Sequence, residues 1–123
     1  MVKDSRELAW LAVEAADDKK AIDILALDIR GISLLADYFV ICSGSSELQV
    51  KAICDSITKK MKDRGIIPKN IEGYQEARWI LLDLENVVVH IFHRETRDYY
   101  QLERLWADAP EVQDSILTGE AGR

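Results

Sequence analysis

The amino-acid sequence predicts an α/β domain in which helices pack against a mixed β-sheet. Apolar residues recur at helical spacing near the start of the chain and again in its middle, and short runs of strand-forming residues lie between and after these segments. The 123 residues are enough for one hydrophobic core. Because no internal repeat or linker divides the sequence, we expect one domain over residues 1–110 and a loose polar tail over residues 111–123.

One helix and two strands are predicted in the first part of the chain. A helix begins after Asp4, a good N-cap residue, and its apolar residues follow at spacings of three and four. The segment DILALDIRG, residues 23–31, alternates its apolar side chains and ends in glycine, which predicts a strand. The segment YFVICS, residues 38–43, is a continuous apolar run rich in strand formers, which is typical of a buried strand.

The middle of the chain has the clearest helical pattern. Ser46 and Gln49 have the spacing of a capping box, and Gly65 stands where a glycine commonly follows a helix. Between them, a single apolar stripe is formed by Val50, Ile53, Cys54, Ile57 and Met61. The pattern predicts a helix that buries this stripe against the sheet.

Three strands and a last helix are predicted in the second half. A short strand around Ile71 is followed by WILLDL, residues 79–84, and VVVHIFH, residues 87–93, and the two residues between these runs predict a tight hairpin. The segment TRDYYQLERLWADAP, residues 96–110, predicts one helix limited by its proline. The predicted apolar face of that helix contains Tyr99, Leu102, Leu105 and Trp106. This order of elements indicates a mixed sheet with packed helices.

The charge balance argues against a protein that binds nucleic acid through its backbone. The chain has 16 Lys and Arg against 22 Asp and Glu, a formal net charge of −6. Binding to backbone phosphates needs clustered cations, and the one basic cluster, in residues 59–64, falls at the end of a predicted helix, where it complements the helix dipole. We therefore expect little direct nucleic-acid contact and favour docking onto a basic protein.

The sequence also predicts a cytoplasmic protein that does not enter a membrane. The N-terminal MVKDSRELAW is charged where a signal peptide is apolar, and no segment reaches the roughly 18 apolar residues of a membrane span. Cys42 and Cys54 match no zinc or redox motif and lie among apolar neighbours. We expect both to be buried, reduced thiols.

The two histidines do not predict a metal site. His90 and His93 are three residues apart on one predicted strand, so their side chains point to opposite faces of the sheet. We expect His90 to be a core residue with one hydrogen-bond partner and His93 to lie at the strand exit. No metal and no cofactor are expected.

A nucleotidyltransferase or nucleotide-binding protein is the alternative hypothesis. Gly44 and Ser45 lie between a predicted strand and a predicted helix, where free N–H groups can hold a phosphate. Asp83 and Glu85 share one face of a strand, as ligands of two metal ions would. However, the next strand adds no third carboxylate and the Gly-Ser turn contains no Lys or Arg. We therefore favour a protein without enzymatic activity.

Three longer segments resemble the ribosomal silencing factor family, whose bacterial and organellar members are also called Iojap-related. They are ADYFVICSGSSELQVKAICDSI, EGYQEARWILLDLENVVVHIF and RDYYQLERLWADA, in the order and spacing of the family. The resemblance implies a degenerate nucleotidyltransferase-like fold without catalysis. It implies a translational repressor, active in starvation, that binds the large ribosomal subunit through its fourteenth protein and sterically blocks joining of the small subunit. It also implies a homodimer when the protein is free.

The same resemblance places the partner contact on Trp79, Leu84 and Tyr100. Tryptophan and tyrosine commonly anchor interfaces. Trp79 and Leu84 are five residues apart, so a regular strand points them to opposite faces unless Leu84 already belongs to the turn. We expect Leu84→Glu to abolish binding to the large subunit and to leave the fold intact.

Overall fold

The sheet has five strands and is mixed, as the sequence predicts. The computed structural model describes residues 4–113. Their elements are α1 (Ser5–Asp18), β1 (Ile22–Asp28), β2 (Tyr38–Gly44), α2 (Glu47–Asp63), β3 (Asn70–Glu72), β4 (Trp79–Asp83), β5 (Val87–His93), α3 (Arg94–Tyr100) and a terminal 3₁₀ helix (Leu102–Trp106). The strand order is β1-β2-β5-β4-β3, in which β2 and β5 are parallel and the other neighbours are antiparallel.

The predicted helix ends are confirmed for α1 and α2. The Glu7 backbone N–H donates to Asp4 Oδ1 at 2.7 Å, so Asp4 caps α1. The Gln49 backbone N–H donates to Ser46 Oγ at 3.1 Å, and Gly65 follows α2 with a φ of 77°. Each cap satisfies backbone groups that have no partner within the helix.

Helices α1 and α2 cover one face of the sheet, and most of the core lies beneath them. The apolar stripe predicted for α2 is buried there together with the apolar face of α1. From the sheet, the alternate residues Val40, Cys42, Ile80, Leu82 and Val89 point into this layer. Burial of each large aliphatic side chain contributes about 1.5–3 kcal/mol, so this layer is the main source of stability.

The other face of the sheet is covered over β1 and β2 and over part of β5, where Phe92 is buried. There, Phe39 and Ile41 pack in a smaller cluster with Leu27, and the terminal 3₁₀ helix lies on it. The rings of Phe39 and Trp106 meet edge to face, with centroids 5.0 Å apart. We call the uncovered remainder, formed by the outward residues of β4 and their neighbours on β3 and β5, the β4 face.

The prediction of one long terminal helix is wrong. Helix α3 ends at Tyr100, Gln101 adopts the left-handed conformation with φ 49° and ψ 50°, and a 3₁₀ helix follows. Spacings of three and four do not distinguish an α-helix from an α-helix followed by a 3₁₀ turn. As a result Tyr99 and Leu105 are exposed, whereas Trp106 reaches the sheet.

The buried Arg97 ties the ends of three elements together. Its Nη1 donates to the carbonyl oxygens of Ile22 and Asp23, at 3.4 and 2.7 Å, and to Ser43 Oγ at 3.0 Å. Its Nε donates to a carboxylate oxygen of Glu103 at 3.3 Å. Helix α3 is thereby fixed to β1, β2 and the terminal 3₁₀ helix, which holds Tyr99 and Tyr100 beside β4.

The first residues of the predicted C-terminal tail pair with β1. Glu111 forms an antiparallel bridge with Leu27, and the Val112 N–H donates to the Ala26 carbonyl at 2.8 Å. This segment covers the outer edge of β1, which protects it from pairing with another chain. The rest of the predicted tail, residues 114–123, lies outside the described residues. No helix within residues 4–113 is long and apolar enough to cross a membrane.

Replacement of Arg97 by methionine should destabilise the fold. The substitution leaves two backbone carbonyls, the buried Ser43 hydroxyl and the Glu103 carboxylate without their donor, and we expect a loss of about 2–4 kcal/mol in the free energy of unfolding. Urea denaturation followed by tryptophan fluorescence measures this loss. The control is Arg94→Met, on the exposed side of the same helix, which should change stability by less than about 0.5 kcal/mol. Equal stability of both variants would contradict the role given to Arg97.

Candidate partner-binding face

The β4 face is built by the alternation of side chains along two neighbouring strands. Trp79, Leu81 and Asp83 point away from the helices, whereas Ile80 and Leu82 are buried beneath them. The antiparallel register places Trp79 opposite Phe92, Leu81 opposite His90 and Asp83 opposite Val88. Apolar groups from both strands therefore share one uncovered surface.

Three adjoining concavities make this surface continuous. One of about 380 Å³ is lined by Arg78, Trp79, Glu95, Thr96, Tyr99 and Tyr100. The next, of about 320 Å³, is lined by Glu72, Gly73, Trp79 and Leu81. The largest, of about 580 Å³, has Leu35, Phe39, Leu81, Val88 and His90 among its lining residues, and we call it the hairpin groove. Trp79 and Leu81 join the three, so a partner can contact them together.

Aromatic rings stiffen the end of the β4 face nearest α3. Trp79 packs on Phe92, with centroids 4.8 Å apart, and on Tyr100, with centroids 5.1 Å apart. Tyr99 meets Tyr100 at 90° and 5.0 Å. Tyr100 is 54% exposed. Rigid aromatic side chains of this kind present a large contact area at a small entropic cost.

His90 lies at the centre of the face and is buried, as the sequence predicts. The Trp79 Nε1–H donates to His90 Nδ1 at 3.2 Å, which is the single hydrogen bond expected for this residue. The Phe39 ring meets the imidazole edge on, with centroids 4.9 Å apart. Burial lowers the pKa of His90 to about 4, so the imidazole is neutral at physiological pH. Among the described residues, His90 Nε2 has no hydrogen-bond partner.

The rim of the β4 face is acidic. The residues lining the three concavities include four carboxylates, Glu72, Asp83, Glu85 and Glu95, against two cations, Lys69 and Arg78. Arg78 pairs with Glu95 at 3.8 Å, which offsets its charge. An apolar floor with a negative rim is complementary to a partner that presents apolar groups among Lys and Arg.

The structure brings together two of the three contact residues expected from the sequence. Trp79 and Tyr100 touch, whereas Leu84 lies on the opposite side of the sheet, in the core beneath α1 and α2. Leu84 is only 5% exposed, so in this conformation it offers almost no area to a partner. Because Leu84 is five residues after Trp79, the alternation of side chains along a strand predicts that the two point to opposite faces.

Sequence reasoning missed the contribution of Leu81, Val88 and Leu35. Leu81 is two residues after Trp79 and so shares its face, a signal that was present in the sequence. Val88 and Leu35 join it only through the pairing of β4 with β5 and through the path of the β1–β2 loop. Local sequence patterns do not reveal such long-range placement.

The residues of the nucleotide-binding hypothesis do not converge on one site. Gly44 ends β2 beside His93, whereas Asp83 lies at the other end of the sheet, beside Val88. Five residues of strand separate these ends, a distance of about 17 Å. The Ser45 N–H of this turn is also occupied, because it donates to Gln49 Oε1 at 2.7 Å.

The polar groups of the hairpin have local structural partners. The Glu85 N–H donates to Asp83 Oδ1 at 2.8 Å and supports a turn in which Glu85 has a φ of 78°. His93 caps α3, accepting a hydrogen bond at Nδ1 from the Glu95 N–H at 3.3 Å. Over residues 4–113, no three His, Cys, Asp or Glu side chains are grouped to hold a metal ion.

Comparisons with known proteins agree on one family. Residues 2–122 match the family model described as "Ribosomal silencing factor during starvation". The chain is 54% identical to ribosomal silencing factor RsfS of Halalkalibacterium halodurans, over 89% of this chain and 93% of that protein. The corresponding Bacillus subtilis protein is 53% identical, over 87% of this chain and 91% of its own.

More distant relatives and a solved structure extend this result. The chloroplastic protein Iojap of Zea mays is 34% identical over 81% of this chain and 43% of its own length. A crystal structure of a Chromobacterium violaceum protein superposes with a TM-score of 0.83 at 36% identity, covering 85% of this chain and 88% of that one. Sequence and fold thus point to the same group of proteins.

Replacement of Leu84 by glutamate should unfold or strongly destabilise the domain, rather than remove a surface contact. A carboxylate placed in the core beneath α1 and α2 loses its hydration, so we expect a loss of at least about 3 kcal/mol in the free energy of unfolding. Leu34→Glu, at a fully exposed leucine, is the matched control. Circular dichroism and urea denaturation measure both variants. If Leu84→Glu were as stable as the wild type, Leu84 would have to lie at the surface, which would contradict its burial in the core.

The burial of His90 should make stability depend on pH. Because its pKa falls from 6.5 in the unfolded chain to about 4 in the folded one, the unfolded state alone binds a proton between these values. The free energy of unfolding should therefore be unaffected by His90 above pH 6.5 and should fall by about 3 kcal/mol as the pH drops to 4.

This loss is measured by comparing the wild type with His90→Phe. Both proteins share their carboxylates, so the difference between their stability curves isolates the imidazole. The variant should lose less stability than the wild type between pH 6.5 and pH 4, as determined by urea denaturation at each pH. Parallel curves would show that His90 titrates alike in both states.

Proposed function

Because this chain belongs to the ribosomal silencing factor family, we propose that it binds the large ribosomal subunit and prevents the small subunit from joining. The partner is the fourteenth protein of the large subunit, a basic protein at the intersubunit surface. The protein acts by occupying this place and catalyses no reaction. It works in the cytoplasm and represses translation when nutrients are scarce.

The uncovered, apolar β4 face is the observation that carries this proposal. Two helices cover the opposite side of the sheet, so the outward residues of β4 form an apolar surface that a partner can still bury. Trp79 and Tyr100 anchor the contact, and Leu81 and Val88 extend it towards the hairpin groove. Leu84 contributes indirectly, by holding the hairpin from the core side.

Electrostatics favours a basic protein over ribosomal RNA as the direct partner. The carboxylates around the β4 face repel backbone phosphates but attract Lys and Arg side chains. The net charge of −6 acts in the same direction at longer range and raises the rate of encounter with a basic partner. Direct contact with nucleic acid is therefore small.

Occlusion needs only a rigid body of sufficient size. A globular chain of 123 residues has a radius of gyration of about 14 Å, so a bound copy stands well above the surface that it occupies. Two subunits cannot approach to contact distance across such a body.

The uncovered apolar face also favours a homodimer of the free protein, because a second copy can shield this face from water.

Charge introduced at the centre of the β4 face should abolish binding to the large subunit. In Leu81→Glu, a carboxylate must be desolvated at the contact, and we expect affinity to fall more than tenfold. Pelleting of the protein with purified large subunits, over a range of subunit concentrations, measures this affinity. Circular dichroism first establishes that the variant is folded.

The matched control is Leu105→Glu. Leu105 is 77% exposed on the terminal 3₁₀ helix and lines none of the three concavities of the β4 face. This variant should pellet with large subunits like the wild type. Equal binding of both variants would exclude the β4 face as the contact, and loss of binding only in Leu105→Glu would move it to the other end of the sheet.

A further inference from the structure

We propose that His90 donates a hydrogen bond from its buried Nε2–H to a segment of the ribosomal partner that occupies the hairpin groove. The acceptor is a neutral carbonyl oxygen, from the backbone or an amide side chain, carried by a partner segment that inserts an apolar group beside it. The inference rests on the proposed function and assigns His90 the role of a specificity-determining residue in the same contact.

The position of the proton follows from the bond to Trp79. An indole Nε1–H can only donate, so the Nδ1 that it contacts at 3.2 Å must carry a lone pair. Burial keeps the imidazole neutral at physiological pH, and a neutral imidazole has one N–H. That proton is therefore on Nε2. Trp79 fixes the tautomer, much as a hydrogen bond to one ring nitrogen commonly does in functional histidines.

The Nε2–H is left without an acceptor. His90 is 5% exposed, and no oxygen or nitrogen of the described residues accepts from Nε2. The two ring nitrogens lie on different edges of the imidazole, so Nε2 is directed away from Trp79. Buried donors are nearly always paired in folded proteins, so an unpaired one calls for an explanation, of which a functional role is one.

The hairpin groove adjoins His90, and since Nε2 itself exposes less than 1 Å² in the free protein, the acceptor reaches it from the groove as interface side chains shift on binding. His90 lines it together with the apolar side chains of Phe39, Leu81 and Val88. Leu35, on the β1–β2 loop, lines its other side and is 74% exposed. Apolar walls with one well-placed polar group are the usual composition of a recognition site.

The charges around the groove decide which acceptor fits. Glu72, Asp83 and Glu85 line it, against the single cation Lys69. A partner carboxylate would be repelled by this rim, whereas a carbonyl oxygen beside Lys or Arg side chains would not. A segment of a basic protein provides both the neutral carbonyl oxygen and the neighbouring Lys or Arg side chains. The aromatic surroundings would accommodate a phenylalanine ring at position 90, but phenylalanine would provide no donor and would leave the Trp79 Nε1–H without its acceptor.

Three substitutions distinguish the role of the Nε2–H donor from the packing of the ring and its hydrogen bond with Trp79. His90→Phe keeps a ring and removes both nitrogens. His90→Asn places an amide near the position of Nδ1, so it can still accept from Trp79, but it has no group at the position of Nε2. His90→Gln reaches that position with an amide N–H and so restores the donor.

The test is pelleting of each variant with purified large ribosomal subunits, with affinities compared among variants that urea denaturation shows to be fully folded. We expect His90→Phe and His90→Asn to bind about tenfold more weakly than the wild type, since the loss of one hydrogen bond to a buried group lowers affinity by about tenfold. We expect His90→Gln to bind within about threefold of the wild type.

Three other results would overturn the inference. If all variants bind like the wild type, His90 makes no contact with the partner, and the proposed function is unaffected. If His90→Gln is weakened as much as His90→Phe, an N–H at the position of Nε2 does not restore binding and the inference fails; where His90→Asn then binds like the wild type, His90 only supports Trp79. If the wild type itself does not pellet with large subunits, the proposed function fails and the inference fails with it.

Discussion

Unequal coverage of the two sheet faces is the constraint on which the rest of the structure depends. Helices α1 and α2 bury most of one face, and this layer provides most of the apolar area removed from water. The other face is covered mainly over β1 and β2, by a short 3₁₀ helix, and Phe92 of β5 is buried beside them. The aromatic and aliphatic residues of β4 are therefore held rigidly from behind and remain open in front, which suits recognition of a partner rather than a reaction.

The local parts of this fold could be predicted from the sequence. Caps and apolar stripes depend on residues three or four apart, so Asp4, Ser46 and Gly65 mark the ends of α1 and α2 correctly. Side chains alternate between the two faces along a strand, so the odd spacing of Trp79 and Leu84 correctly places them on opposite faces of the sheet. Long-range features could not be predicted: the left-handed Gln101 and the pairing of residues 111–113 with β1 depend on tertiary contacts, above all the burial of Arg97.

The candidate site was predictable to a similar extent. Trp79 and Tyr100 were identified by residue type and resemblance, and they touch in the structure. Leu35 and Val88 carry no local signal, since they reach the face through strand pairing and a loop. The carboxylates and histidines that suggest catalysis in the hairpin have other roles: Asp83 supports the turn, His93 caps α3 and His90 pairs with Trp79. Strand register, which separates Gly44 from Asp83, decides against a shared nucleotide site.

Occlusion of the intersubunit surface is tested most directly by sucrose-gradient sedimentation of purified large and small subunits under conditions in which they join. The protein is added in increasing amounts, and its position is followed in each gradient. Occlusion predicts that the protein migrates with the large subunit and that the peak of joined ribosomes falls in proportion to the bound protein. Migration of the protein with an undiminished peak of joined ribosomes would contradict it, because the protein would then bind without preventing the subunits from joining.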